Sequence, residues 1–168
     1  MYQIGDYVVK VNSGICRVED ITHLDMPDVD KNRLYYLLIP QEENRTRVYV
    51  PTDSESAQIR RVMSEEEAWE MIRAIPGIEE TWITDDKQRE KTYKEAIRSG
   101  QPARLVGIIK NMYLRRMKRE AAGRKNTPTD ERYFKLAEDY LYTELAFALG
   151  KDKGEMRQLI SETVQDGR

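Results

Sequence analysis

Along residues 1–62 the apolar positions come in short runs cut by turns. Tyr7-Val8-Val9 follows the turn-prone Gly5-Asp6, and Ile15-Cys16-Arg17-Val18-Glu19-Asp20-Ile21 alternates with a period near two after Ser13-Gly14. Arg33-Leu34-Tyr35-Tyr36-Leu37-Leu38-Ile39 is stopped by Pro40, and Thr46-Arg47-Val48-Tyr49-Val50 by Pro51. Runs of β-branched and aromatic residues separated by polar turns predict short strands closing into a small barrel or curled sheet. Residues 41–45 read as a hairpin connection. Residues 25–32, polar and containing Pro27, read as a surface loop.

From residue 63 the period lengthens. Ser64 followed by Glu67 forms a capping box, Glu65 and Glu66 suit the positive end of a helix dipole, and Ala68, Met71, Ile72 and Ile75 make an apolar stripe ended by Pro76-Gly77. Asp85 or Asp86 opens a second helix closed by Ser99-Gly100. A third starts at Pro102 and stops before Gly123, a fourth is capped by Thr129 and ends at Gly150, and a fifth begins near Lys153. The abrupt change near residue 62 predicts an α+β chain of two domains: a small β-barrel or curled sheet over 1–62, and an all-α five-helix domain over 63–168.

Composition adds little until the charge is read by segment. The formal net charge is −2, which alone argues against a strongly basic nucleic-acid binder. Residues 1–62 carry 8 basic and 10 acidic groups, residues 63–86 carry 1 and 8, residues 87–125 carry 13 and 3, and residues 126–168 carry 6 and 9. The net charges are therefore −2, −7, +10 and −3. On a helix with 3.6 residues per turn, Arg104, Asn111, Arg115 and Lys118 share a side face, while Leu105, Ile108, Ile109 and Met112 face the core. Lys87, Arg89, Lys91 and Lys94 add charge from the preceding helix. Such a surface suits phosphates, read without sequence preference. It is equally what a solvated face of a charge-rich protein looks like.

Two charges fall on core-facing stripes. Arg116 sits near the centre of the apolar face of its helix, and Glu144 lies among Ala137, Tyr140 and Ala148 on the next. Their placement predicts a buried structural Arg116–Glu144 ion pair. Trp69, beside the first helix's stripe, reads as a packing residue. Trp82 lies in a short connection just before the basic block. It reads either as an anchor that pins the connection or as a ring that wedges against a base.

Other chemistries are excluded by what is scarce. One cysteine, Cys16, and one histidine, His23, rule out a disulfide framework, a Cys/His metal site and a His-based triad. The acidic residues form no metal or acid/base pattern, so neither catalysis nor a cofactor is expected. No uncharged apolar run approaches the roughly 20 residues of a membrane span. The N-terminus has no signal-like segment, and a cytoplasmic location is expected.

Taken in order, several fragments resemble the CarD/CdnL family of bacterial transcription regulators. They are Ile4-Gly5-Asp6-Tyr7-Val8-Val9, Ser13-Gly14-Ile15-Cys16-Arg17-Val18, Tyr35-Tyr36-Leu37 and Val48-Tyr49-Val50-Pro51, followed by Arg73-Ala74-Ile75-Pro76, Glu79-Glu80-Thr81-Trp82, Ser99-Gly100, Asn111-Met112-Tyr113-Leu114-Arg115-Arg116 and Leu141-Tyr142-Thr143-Glu144-Leu145-Ala146. The resemblance implies a Tudor-like N-terminal domain that binds the RNA polymerase β subunit, with Arg47, Val48, Tyr49, Val50 and Pro51 as the polymerase-facing strand. It implies a helical domain that contacts promoter DNA, and a tryptophan, here Trp82, that wedges at the upstream fork of the transcription bubble. Lys87, Arg89, Lys94, Arg104, Arg115 and Lys118 become the candidate phosphate contacts. The protein would stabilise the open promoter complex, most simply as a monomer that reaches the nucleoid through polymerase. The alternative is a polymerase-binding adaptor whose helical domain grips another protein rather than DNA.

Overall fold

In a computed structural model of the chain, residues 1–53, 59–78 and 85–166 are described. The chain divides into two compact units, 1–62 and 63–168.

The first unit is one antiparallel sheet of five strands, curled into a half-barrel. These are β1 (Tyr7–Lys10), β2 (Gly14–His23), β3 (Leu34–Pro40), β4 (Val48–Pro51) and β5 (Ile59–Arg61), in the order β4-β3-β2-β1-β5. The β1–β2 turn needs left-handed backbone, which Asn12 and Gly14 supply at φ 71° and 72°. Val8, Cys16, Val18, Tyr36, Leu38 and Val50 form the core of this unit, with Ile21 packed against it. The spacing 16, 18, 21 breaks strict alternation because the β2–β3 register shifts between Val18 and Asp20. An extra residue in one strand reverses which parity faces inward beyond it. The Cys16 thiol is enclosed here, and burial pushes its pKa up to about 11 against the opposing charge of Lys10.

Two sequence expectations change. Strand β5 is not predicted by the pattern, since Ile59-Arg60-Arg61 offers one apolar residue; its pairing with Val8, Val9 and Lys10 comes from the free edge of β1. The fourth strand starts at Val48 rather than Thr46, because Thr46 N–H still donates to the Glu43 carbonyl in the preceding turn.

The second unit holds α1 (Glu65–Ala74), a 3₁₀ turn (Ile75–Gly77), α2 (Asp86–Ser99), α3 (Pro102–Ala121), α4 (Pro128–Leu149) and α5 (Lys153–Asp166). The Ser64–Glu67 capping box is formed in both directions. Helix α4 is capped by Thr127, two residues before the expected Thr129. Pro128 suits the first helical position, where no N–H is needed, and Thr127 Oγ1 accepts from Asp130 N–H at 3.1 Å. Leu105, Ile108, Ile109 and Met112 are buried as a face of α3, against Ala137, Leu141, Leu145, Met156 and Ile160 among others. Trp69 packs against the same core. No helix among the described residues is long and apolar enough to cross a membrane.

Candidate functional site

The β4 edge is the first candidate. Val50 turns into the core at 3% exposure, while Tyr49 points outward at 39%. Period-two alternation dictates this, with Val50 opposite Tyr36 and Tyr49 opposite Leu37 on β3. Strand β4 ends the sheet order, so its outer side offers main-chain groups to which a further strand can pair. Val48 and Pro51 are half-buried in this strand. Arg47 is exposed but precedes the strand, so it belongs to the approach rather than to the ladder.

The basic segment separates into two populations. Lys87, Lys94, Arg104 and Lys118 are exposed. Arg89 and Arg115 are not free cationic heads. Arg115 Nε donates to Asp130 Oδ2 at 2.7 Å, and Arg89 Nε lies 3.6 Å from Asp130 Oδ1 while its guanidinium also bonds Asp86. Asp130 is 2% exposed, at the N-terminal turn of α4, where the helix dipole also favours a carboxylate. Two arginines from α2 and α3 thus neutralise one buried aspartate of α4. The Arg89 bond holds the Asp86 carboxyl below the usual carboxylate range. Burial, reinforced by the Asp130 charge, pushes the Tyr93 phenol well up. Of the expected phosphate contacts, Arg89 and Arg115 thus have their charge engaged by carboxylates within the helical unit, with side chains 10% and 22% exposed.

What remains exposed has its own geometry. Lys87, Lys91, Lys94 and Arg98 are all exposed on α2. Their spacing of four, three and four residues puts them within about 60° of one another at 3.6 residues per turn. Glu95 and Glu90 flank this stripe, 4.0 Å from Lys91 and 3.5 Å from Lys94. Sequence reasoning passes over Arg98, although the same spacing is readable there. It also misses Lys110, whose buried ammonium is turned inward onto backbone carbonyls.

The expected Arg116–Glu144 pair is replaced by other partners. The Arg116 guanidinium lies 5.0 Å from the Phe134 ring centroid and 5.7 Å from that of Tyr113. The buried Glu144 carboxylate accepts the Met63 N–H at 2.9 Å. The short α3–α4 connection sets the register, bringing Arg116 level with Phe134. Glu144 lies ten residues further along α4, about 15 Å away at 1.5 Å per residue. Trp82 lies outside the described residues.

Comparison with known families gives two matches. The CarD-like/TRCF RID domain matches residues 2–63, and the CarD C-terminal domain matches residues 62–161. Among curated proteins none matches the chain. The two matched families cover, in order, the β unit with its β4 edge and the helical unit with its α2 stripe. The chain belongs to the CarD family and is an RNA polymerase-interacting transcription factor.

Proposed function

We propose that the protein stabilises the open promoter complex by bridging polymerase and DNA. The β unit docks on the polymerase β subunit by strand pairing along the β4 edge. There the backbone supplies affinity, and Tyr49, Val48 and Pro51 supply specificity, with Arg47 beside them. The helical unit lies on promoter DNA at the upstream fork of the bubble, and Trp82 wedges there against re-annealing.

The observation that carries the DNA reading is the exposed Lys87–Lys91–Lys94–Arg98 stripe, which starts shortly after Trp82 in the chain. Phosphates need cationic heads at the surface, and this stripe supplies them where Arg89 and Arg115 do not. Arg104 and Lys118 are exposed on α3 and add to it. Weak, sequence-independent affinity is sufficient, because docking on polymerase raises the local concentration of the helical unit. The shift toward the open complex equals the difference in affinity for its two states, and about 1.4 kcal/mol of difference changes their ratio tenfold.

The test is open-complex lifetime with the cognate polymerase. Trp82→Ala and a Lys87→Glu/Lys94→Glu variant should each shorten it while polymerase binding persists. An unchanged lifetime in both would remove the DNA reading and leave polymerase binding alone.

A further inference from the structure

Gly107 sits in the interior of α3. A glycine there lowers the folding equilibrium about three- to fivefold relative to alanine, because its backbone loses more freedom on folding. A left-handed backbone or a crowded neighbour would explain it. Its φ is not positive, so no turn demands a glycine. A Cβ placed on it would meet no atom within 4 Å among the described residues outside its own helix backbone and chain neighbours, so no packed neighbour demands one either. The fold of the helical unit is therefore indifferent to a methyl group at this point.

The surroundings of Gly107 are cationic. At 3.6 residues per turn, Arg104 and Lys118 fall within about 60° of it, one turn before and about three turns after. Both are exposed. The buried Leu105, Ile109 and Met112 lie on the opposite side of the helix. Only Gly100-Gln101 separates α2 from α3, so Arg98 at the end of the α2 stripe leads directly into Arg104. The outer face of α3 is thus a basic strip with a notch in it. A phosphodiester backbone fits such a face: it is polyanionic, needs no apolar pocket and is held by cations at a surface. An apolar partner in the notch would take the charges of Arg104 and Lys118 out of water without compensation.

We propose that Gly107 is a seat for the DNA backbone: its missing side chain lets a phosphodiester lie against α3 between Arg104 and Lys118, closer than a larger residue allows. Glycine serves in this way wherever a ligand must approach a protein backbone closely. The proposal rests on the DNA reading above and adds to it a second line of contact, on α3, beside the α2 stripe. The conformational cost of the glycine is then offset in the complex rather than in the free protein.

The experiment compares Gly107→Ala and Gly107→Gln with wild type, using full-length protein, polymerase and promoter DNA. Both substitutions are uncharged and both favour helix more than glycine does, so the urea midpoint should rise in each. Open-complex lifetime should move the other way. It should shorten by about threefold or more in Gly107→Gln, a fraction of what one charge-assisted hydrogen bond is worth, and by less in Gly107→Ala. Opposite movement of stability and lifetime is what a merely structural glycine would not produce. Wild-type lifetime in both variants overturns the proposal. So does a lower urea midpoint in both, which would mean that the fold itself needs the glycine. Binding of each variant to polymerase without promoter DNA should equal wild type; a loss there assigns the face to a protein and overturns the seat. The Lys87→Glu/Lys94→Glu variant separates this proposal from the reading it rests on. If that variant shortens the lifetime and Gly107→Gln does not, DNA lies on α2 alone: the seat is overturned and the DNA reading stands. If neither shortens it, both fall. If Gly107→Gln alone shortens it, the seat is sustained and α3 carries the contact in place of the α2 stripe.

Discussion

Arg115 donates its Nε to Asp130 Oδ2 at 2.7 Å, and this bond ties a half-buried candidate DNA contact to a carboxylate of the core. Among the described residues Asp130 Oδ1 has no hydrogen-bond partner, and Arg89 at 3.6 Å compensates its charge. Asp130→Asn removes the carboxylate that Arg115 bonds and leaves the largely buried Arg89 with Asp86 in place of two acidic neighbours. The expected loss is about 3 kcal/mol, the order seen when one member of a buried ionic cluster is removed. Urea unfolding of the mutant against wild type checks it, and a change within about 0.5 kcal/mol, the range of an ordinary surface substitution, would contradict it.

The Arg116–Phe134 stacking makes a second prediction. A cation over an aromatic face is worth about 0.5–2 kcal/mol depending on desolvation. A cycle with Arg116→Met and Phe134→Leu should show coupling in that range. A cycle with Arg116→Met and Glu144→Gln should be additive within about 0.5 kcal/mol, as for residues that share no partner. Strong coupling in the second cycle would restore the ion pair expected from sequence.

These two cases show where the sequence stops being legible. Helix faces follow from period alone, so the burial of Leu105, Ile108, Ile109 and Met112 can be read directly. That Arg116 and Glu144 both face inward is also readable. Their separation depends on the antiparallel register, which counting outward from the α3–α4 turn supplies. Asp130 is harder. Its role as a shared counter-ion needs α2, α3 and α4 to meet at one point, a long-range property that no local pattern encodes. Lys110 is hidden for the same reason, since its acceptors belong to residues 75–78. In the β unit the sheet is legible from runs and turns, but β5 is not, because its partner strand determines it more than its own composition does.

Glu138 yields a pH prediction. Burial raises its pKa above the ordinary 4.5, while the charges of Arg157 and Arg116 pull it down only in part. A carboxyl raised in the folded state binds its proton more tightly there than in the unfolded chain. Stability therefore falls as pH rises from the unfolded value through the raised folded value, and stays lower above it. Glu138→Gln removes this dependence. The stability of the mutant relative to wild type should increase across that window and then level off, as read by urea unfolding at a series of pH values. A relative stability that decreases with rising pH would mean that the Arg157 pair, at 3.7 Å, outweighs burial.

The partition of the basic segment predicts different behaviour for residues adjacent in sequence. Lys87, Lys91, Lys94 and Arg98 are exposed along α2, whereas Arg89, between the first two, is 8% exposed. Removing the cation that neutralises one phosphate should reduce the slope of log affinity against log salt by about 0.9 on duplex DNA. Lys87→Gln, Lys91→Gln, Lys94→Gln and Arg98→Gln should each lower the salt slope of promoter retention in the polymerase complex while leaving folding stability within about 0.5 kcal/mol of wild type. Arg115→Gln should do the reverse. It strips Asp130 of its closest partner, costing about 3 kcal/mol of stability, and at temperatures where the variant stays folded it leaves the salt slope unchanged. Measuring slope and urea stability on the same variants separates the two populations. If Arg115→Gln lowered the slope and the α2 variants did not, the phosphate surface would lie on α3 instead.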